Sequence, residues 1–230
     1  MTQTNLQTAI YESLREQLFT GGIEAGSPLS EQQLAENFQA SRMPVRQALA
    51  KLAHEGLITQ SSRVRSAVIN PTLHDLQEAL ELRTLLEPHA VELATPRLSW
   101  VEKETLQAAC RQIQNVAQRV KKTGKFTQTD REEELYADLT FHRTLWQAAD
   151  RSRLAKLCDD LHLIWRIGSP LSEDIATQAP WPISLAAEYH QKMLVAMEQG
   201  NADQARRLMH DHIQSNLVAL KRLARQLPTR

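Results

Sequence analysis

The chain has only two cysteines, no apolar run near the length of a membrane span and no surplus of either charge, with 27 basic residues against 27 acidic ones in 230. Each lack excludes something. Cys110 and Cys158 lie far apart in amphipathic helical patterns, with no spacing for zinc or a disulfide framework, and read as reduced core residues consistent with the cytoplasm. Without an apolar stretch of about 20 residues there is no candidate span, and the polar start Met1-Thr-Gln-Thr-Asn5 carries no signal-peptide pattern, so the chain reads as soluble and internal. No His-Glu-x-x-His pair, no carboxylates for a second metal and no serine or cysteine in a nucleophile turn occur, which counts against a hydrolase. There is no internal repeat and no low-complexity segment.

What is present begins with Leu29 to Gly56. Ser30 followed by Gln33 is a capping-box start, and Leu34, Ala35 and Phe38 give a short helix that stops near Gln39-Ala40. A second helix follows at once: Ser41 can cap it, Pro44 sits in its first turn, and Val45, Leu49, Leu52 and Ala53 recur at helical spacing up to Gly56. This is a helix-turn-helix, whose second helix offers Ser41, Arg42, Met43 and Arg46 to a major groove. A surface hairpin with two solvated arginines is the plainer alternative. Leu57 to Gln60 then reads as a strand, Ser61 to Arg63 as a turn and Val64 to Ile69 as a returning strand, a two-stranded wing with Arg63 and Arg65 near its tip. Five basic residues between positions 42 and 65 face Glu55 alone, so positive charge gathers on the proposed reading surface although the whole chain is neutral.

These residues carry a resemblance. Tyr11-Glu-Ser-Leu-Arg15, Gly22-Ile-Glu-Ala-Gly26, Leu29-Ser-Glu31, Ser41-Arg-Met-Pro-Val-Arg46, Ala48-Leu49 and Glu55-Gly-Leu-Ile58 resemble the DNA-binding domain of the GntR family of bacterial transcription regulators over most of residues 6 to 69. Gln32 stands where that family often has a basic residue for a phosphate, and Ser66 where it usually has a wing glycine. Asn70-Pro71-Thr72 punctuates the chain. The boundary falls there: 1–70 as a winged helix-turn-helix domain, 71–230 as an all-α antiparallel bundle with helices at about 73–95, 100–122, 130–149, 151–167, 184–199 and 202–226. The stretch from Gly168 to Pro182 reads as a connection or, less simply, as a lid.

Helical phase singles out four residues in the second half. Asp138 and His142 lie four apart on the stripe of Leu135, Leu145 and Trp146; His190 shares the stripe of Ala187, Met193 and Met197; His212 that of Ala205, Met209 and Leu220. Burying a carboxylate and three imidazoles costs several kcal/mol unless a common centre satisfies them, and a divalent ion such as zinc, nickel, iron or manganese does so. Separate backbone partners for each histidine are the alternative. Asp138-Leu-Thr-Phe-His142, Glu188-Tyr-His190 and Met209-His-Asp-His212, with Glu81-Leu-Arg83-Thr-Leu-Leu-Glu87, resemble the FCD effector domain of FadR-type GntR regulators. That resemblance implies a metal, commonly zinc or nickel, in a pocket for small organic acids that modulate DNA binding. Arg83, on an apolar stripe, can clamp a carboxylate or pair with Glu87, and Asn216 can bond the effector; His162 and Arg166 are weaker candidates. The expected protein is a homodimeric, ligand-responsive regulator of an inverted-repeat operator. The rivals are a regulator with a purely structural metal and a metal-dependent hydrolase.

Overall fold

The computed structural model describes residues 3–62, 65–168 and 183–225. They group into two compact units, one made of the chain up to Thr72 with Leu163–Gly168, the other of Leu73–His162 with the described residues from 183 onward.

In the first unit, α1 (Gln3–Thr20) buries Ile10, Leu14, Leu18 and Phe19 on one face and stops at Gly21, whose φ of +77° is open to glycine at little cost. It packs on α3 (Arg42–His54), which buries Val45, Ala48, Leu49 and Leu52. The Tyr11 hydroxyl donates to Glu55 at 2.8 Å and Lys51 Nζ stands 3.5 Å from the Tyr11 ring centroid, pinning α1 to the end of α3. Helix α2 (Glu31–Asn37) precedes α3, and the turn between them carries Gln39 at φ +49°. Ser30 caps α2 by accepting from the Gln33 backbone N–H at 3.3 Å. Ser41 occupies the corresponding position before α3 in extended backbone, but its hydroxyl makes no capping bond among the described residues. The expected Ser41 cap is therefore corrected.

The wing is larger than its pattern suggests. Strands β1 (Pro28–Leu29), β2 (Ile58–Ser62) and β3 (Arg65–Val68) form an antiparallel sheet in the order β1-β3-β2, with Pro28 opposite Ala67 and Ile58 opposite Val68. Pro28 and Leu29 thus supply an edge strand, where the N–H that proline lacks is not needed. Ser66 lies buried in the middle strand, opposite Leu29 and Gln60, rather than at the tip.

The second unit contains α4 (Leu73–Ala94), a short 3-10 turn (Thr95–Arg97), α5 (Trp100–Thr123), α6 (Gln128–Ala148), the start of α7 (Ser152–Gly168), α8 (Ile183–Glu198) and α9 (Ala202–Ala224). Its connections are strongly signposted. Ser99 with Glu102 and Thr127 with Asp130 form full capping boxes, and Gly124 ends α5 at φ +66°. Helix α4 packs against α9 and α6, α5 against α6 and α8, and α8 against α9. Ile113, Ala137 and Ala187 pack together where α5, α6 and α8 converge. The possible lid lies outside the described residues.

Candidate functional site

Two groups of residues carry chemistry, one on each unit. On the first, Gln32, Ser41, Arg42, Met43 and Arg46 are all exposed, with Arg42 and Arg46 presenting 57% and 54% of their side chains to solvent. They lie along α2 and the first turns of α3. Gln32 bonds Glu36 at 3.2 Å along its own helix. Arg63 lies outside the described residues, and Arg65 is described only through its backbone in β3. A residue that sequence reasoning passed over sits among the arginines: Glu31 accepts from Arg46 Nε at 3.1 Å and Arg46 Nη2 at 3.0 Å, and from Arg42 Nη2 at 3.3 Å. The Arg46 hydrogen bond is the main reason its carboxyl titrates below the ordinary value; partial burial opposes this and Arg42 assists.

On the second unit, α6 supplies Asp138 and His142, α8 supplies His190 and α9 supplies His212. All four are buried, and one donor atom from each lies within 4.8 Å of the others. His142 Nε2 stands 3.4 Å from His190 Nε2, and Asp138 Oδ1 lies 3.7 Å from the former and 3.6 Å from the latter. Donors bound at about 2.0–2.2 Å to one ion stand roughly 3.0–3.4 Å apart, so the separations among Asp138, His142 and His190 approach those of donors that share an ion. Burial, with the neighbouring His190 and His142 adding to it, pushes the His212 imidazole well below its ordinary titration range, which keeps it neutral and able to ligate. His212 Nδ1 is buried without a hydrogen-bond partner among the described residues. The donor set therefore fits a divalent cation.

A second layer surrounds this cluster. His142 Nδ1 lies 2.6 Å from Glu87 Oε2, which also accepts from Trp146 Nε1 at 3.2 Å, while Glu87 Oε1 accepts from Arg83 Nε at 2.5 Å. With Nδ1–H donated to Glu87, the His142 Nε2 lone pair is directed at the other three donors, the arrangement in which a carboxylate orients a ligating imidazole. Burial alone would raise the Glu87 pKa; Arg83 and His142 outweigh it, and the net shift is downward, so the group stays ionised. Across from these, His162 Nε2 stands 3.6 Å from Asp138 Oδ2. From the sequence Glu87 entered only as a partner for Arg83 and His162 only as a weaker candidate; their places beside His142 and Asp138 come from the structure.

Arg83 is 1% exposed and takes the local pairing with Glu87, one of the two roles open to it from sequence. Its Nη1 has no hydrogen-bond partner among the described residues. Asn216 is placed elsewhere. It lines a groove of about 500 Å³ between α8 and α9, together with Tyr189, His212, Ser215 and Arg222. His212 is thus common to the buried cluster and the groove. Arg166 belongs to the part of α7 that groups with the first unit.

A winged helix-turn-helix whose recognition helix exposes two arginines, carried on one chain with a helical unit enclosing an acid–imidazole cluster, defines a DNA-binding transcription regulator. The comparisons make this specific. Residues 6–68 match the bacterial regulatory proteins of the gntR family, and residues 78–215, more than half of the chain, match the FCD domain. The chain belongs to the GntR family of transcription regulators, in the FadR-type group that carries an FCD domain.

Relatives agree. The probable D-xylose utilization operon transcriptional repressor of Paenarthrobacter nicotinovorans is 26% identical over 95% of this chain and 90% of its own length. The gluconate operon transcriptional repressor of Bacillus subtilis (strain 168) is 32% identical over 64% of this chain and 57% of its own length. The solved structure of E. coli McbR/YncC superposes with a TM-score of 0.79 at 21% identity, covering 95% of this chain and 98% of that one, and shares the fold. These relatives and families are transcriptional regulators rather than enzymes, which removes the hydrolase reading. No described helix is long and apolar enough to cross a membrane.

Proposed function

We propose that the chain acts as a homodimer on an inverted-repeat operator and that a small organic acid, bound beside a divalent metal in the helical unit, modulates its affinity for DNA. The observation that carries this reading is the convergence of Asp138, His142, His190 and His212 from three helices on one buried point. These four residues would hold the ion, zinc or nickel by their donor types. Held there, a divalent cation would attract and polarise a carboxylate oxygen. Glu87 fixes the tautomer of His142, and Arg83 balances the charge of Glu87 with Nη1 to spare. Asn216, Tyr189 and Arg222 line the adjoining groove, whose volume suits a small acid and whose arginine suits a carboxylate. On the DNA side, Ser41, Arg42, Met43 and Arg46 would meet the major groove and Gln32 the backbone, with Arg63 and Arg65 assigned from the sequence to the backbone or the minor groove. A two-fold pair places two such helices about one helical turn apart.

For the acid to switch DNA binding it must bind the two arrangements of the dimer unequally, since equal affinity shifts nothing. The test uses the fragment upstream of the protein's own gene and a panel of small organic acids beginning with gluconate, the acid named in one relative. An acid of the effector class changes the midpoint of fragment binding, and its own affinity changes by the same factor when DNA is present. His190→Ala should lose bound metal by elemental analysis and lose the acid's effect with it; full occupancy in that variant would reject the site. A purely structural metal is separated by a chelator that lowers thermal stability but leaves acid affinity intact.

A further inference from the structure

Arg46 does not point alone toward the DNA. Glu31, at the first position of α2, grips the Nε–Nη2 side of its guanidinium with both carboxylate oxygens, at 3.1 and 3.0 Å, and reaches Arg42 Nη2 at 3.3 Å with one of them. We propose that Glu31 is a specificity-determining buttress of the DNA-reading surface, holding Arg46 by its side edge so that only its end-on donors are offered to a base. This rests on the reading of Arg46 as a groove residue.

The geometry leads there in three steps. A guanidinium has five N–H donors in one plane. With Nε–H and one Nη2–H committed to Glu31, the Nη1 group and the second Nη2–H remain, and these form the parallel fork that matches O6 and N7 of guanine. A long side chain held in this way meets the base with its rotamer entropy already spent. Glu31 also sets charge. Beside two arginines more than half exposed, its carboxylate leaves the trio with one net positive charge instead of two, which weakens attraction to any phosphate without weakening a correctly placed base contact. Both effects raise the ratio of specific to unspecific binding. Helix-dipole stabilisation of α2 would account for an acid at this position, but not for a bidentate grip on the next helix.

The test is selection from a random duplex library with the full-length wild type, Glu31→Gln, Glu31→Ala, Arg46→Ala and the Glu31→Gln/Arg46→Ala double variant, together with titration of one fixed unrelated duplex over a range of salt. Circular dichroism and thermal melting confirm folding of each variant, which the surface position of the contact favours. Wild type should select a motif with a fixed guanine that Arg46→Ala loses. Glu31→Gln should relax that same position about tenfold, bind the unrelated duplex more tightly, and steepen the dependence of log affinity on log salt by about one. Glu31→Ala should do so at least as strongly, and the double variant should select no differently from Arg46→Ala. Unchanged base preference in both Glu31 variants, whatever happens to overall affinity, overturns the buttress and leaves Glu31 a latch that DNA simply displaces. If Arg46→Ala selects the wild-type motif, the reading of Arg46 itself fails, and the proposal falls with it.

Discussion

Glu31 and Glu87 each hold an arginine by its Nε edge, one at the surface of the winged unit and the other inside the helical unit. Arg46 leaves 54% of its side chain in solvent, whereas Arg83 leaves 2%. The bond is chemically the same and its consequences are not. At the surface, water competes for Arg46, although Glu31 keeps only 10% of its side chain in solvent, and the arginine donors that Glu31 does not use remain available to a phosphate or a base. In the core, neither partner has an alternative, and the pair is locked to His142, Trp146 and the cluster beyond. One unit keeps its arginine where the donors that Glu31 leaves over are open to DNA; the other keeps its arginine where exchange is costly and position is fixed.

Truncating Glu87 gives the sharpest break between the two. Glu87→Ala strands a buried guanidinium and releases His142, and should cost about 3–5 kcal/mol in urea unfolding, whereas Glu31→Ala should change stability by no more than about 1 kcal/mol. Equal costs would end the contrast. Next in size, Arg46→Ala should weaken binding to a selected operator by about 1–3 kcal/mol; a loss spread evenly over unrelated duplexes would assign the residue to phosphate instead.

Asp130, in the first turn of α6, tests an intermediate setting. The Thr127 hydroxyl is the main cause that holds its carboxyl below the ordinary range, with the Thr127 backbone N–H and Arg119 adding and desolvation opposing. Because the folded pKa is depressed, the stabilisation is present above the unfolded value of about 3.9 and is lost as pH falls through the folded one. Asp130→Asn should therefore cost about 1 kcal/mol near neutral pH, and the two unfolding curves should converge below about pH 4. The smallest effect is expected at Ser41: without a capping bond, Ser41→Ala should change stability by under about 0.5 kcal/mol, against about 1 kcal/mol for Ser30→Ala.

The six described helices of the second unit were legible because helical periodicity is a local signal, and the structure places the ends of α5 and α6 within about two residues of expectation; the capping boxes at Ser99 and Thr127 that fix those ends were not read from the sequence. Asp138, His142, His190 and His212 were legible for a similar reason, since helical phase sends each toward a core. The edge strand at Pro28 was not, because two residues have no period and pair only when β3 is beside them. Glu31 escaped the count of charge along the recognition helix because it stands on the preceding helix and reaches Arg46 across the turn. Glu87 was read only as a partner for Arg83, for want of any local sign that it also meets an imidazole 55 positions away.

Helix boundaries, the winged helix-turn-helix and the inward direction of the acid and imidazoles were settled along the chain, because capping, turn chemistry and periodicity act over a few residues. Which carboxylate orients which imidazole, and which acid restrains the recognition arginine, depended on the meeting of residues from different helices. Those contacts are set by how the helices pack, and no short-range pattern encodes them.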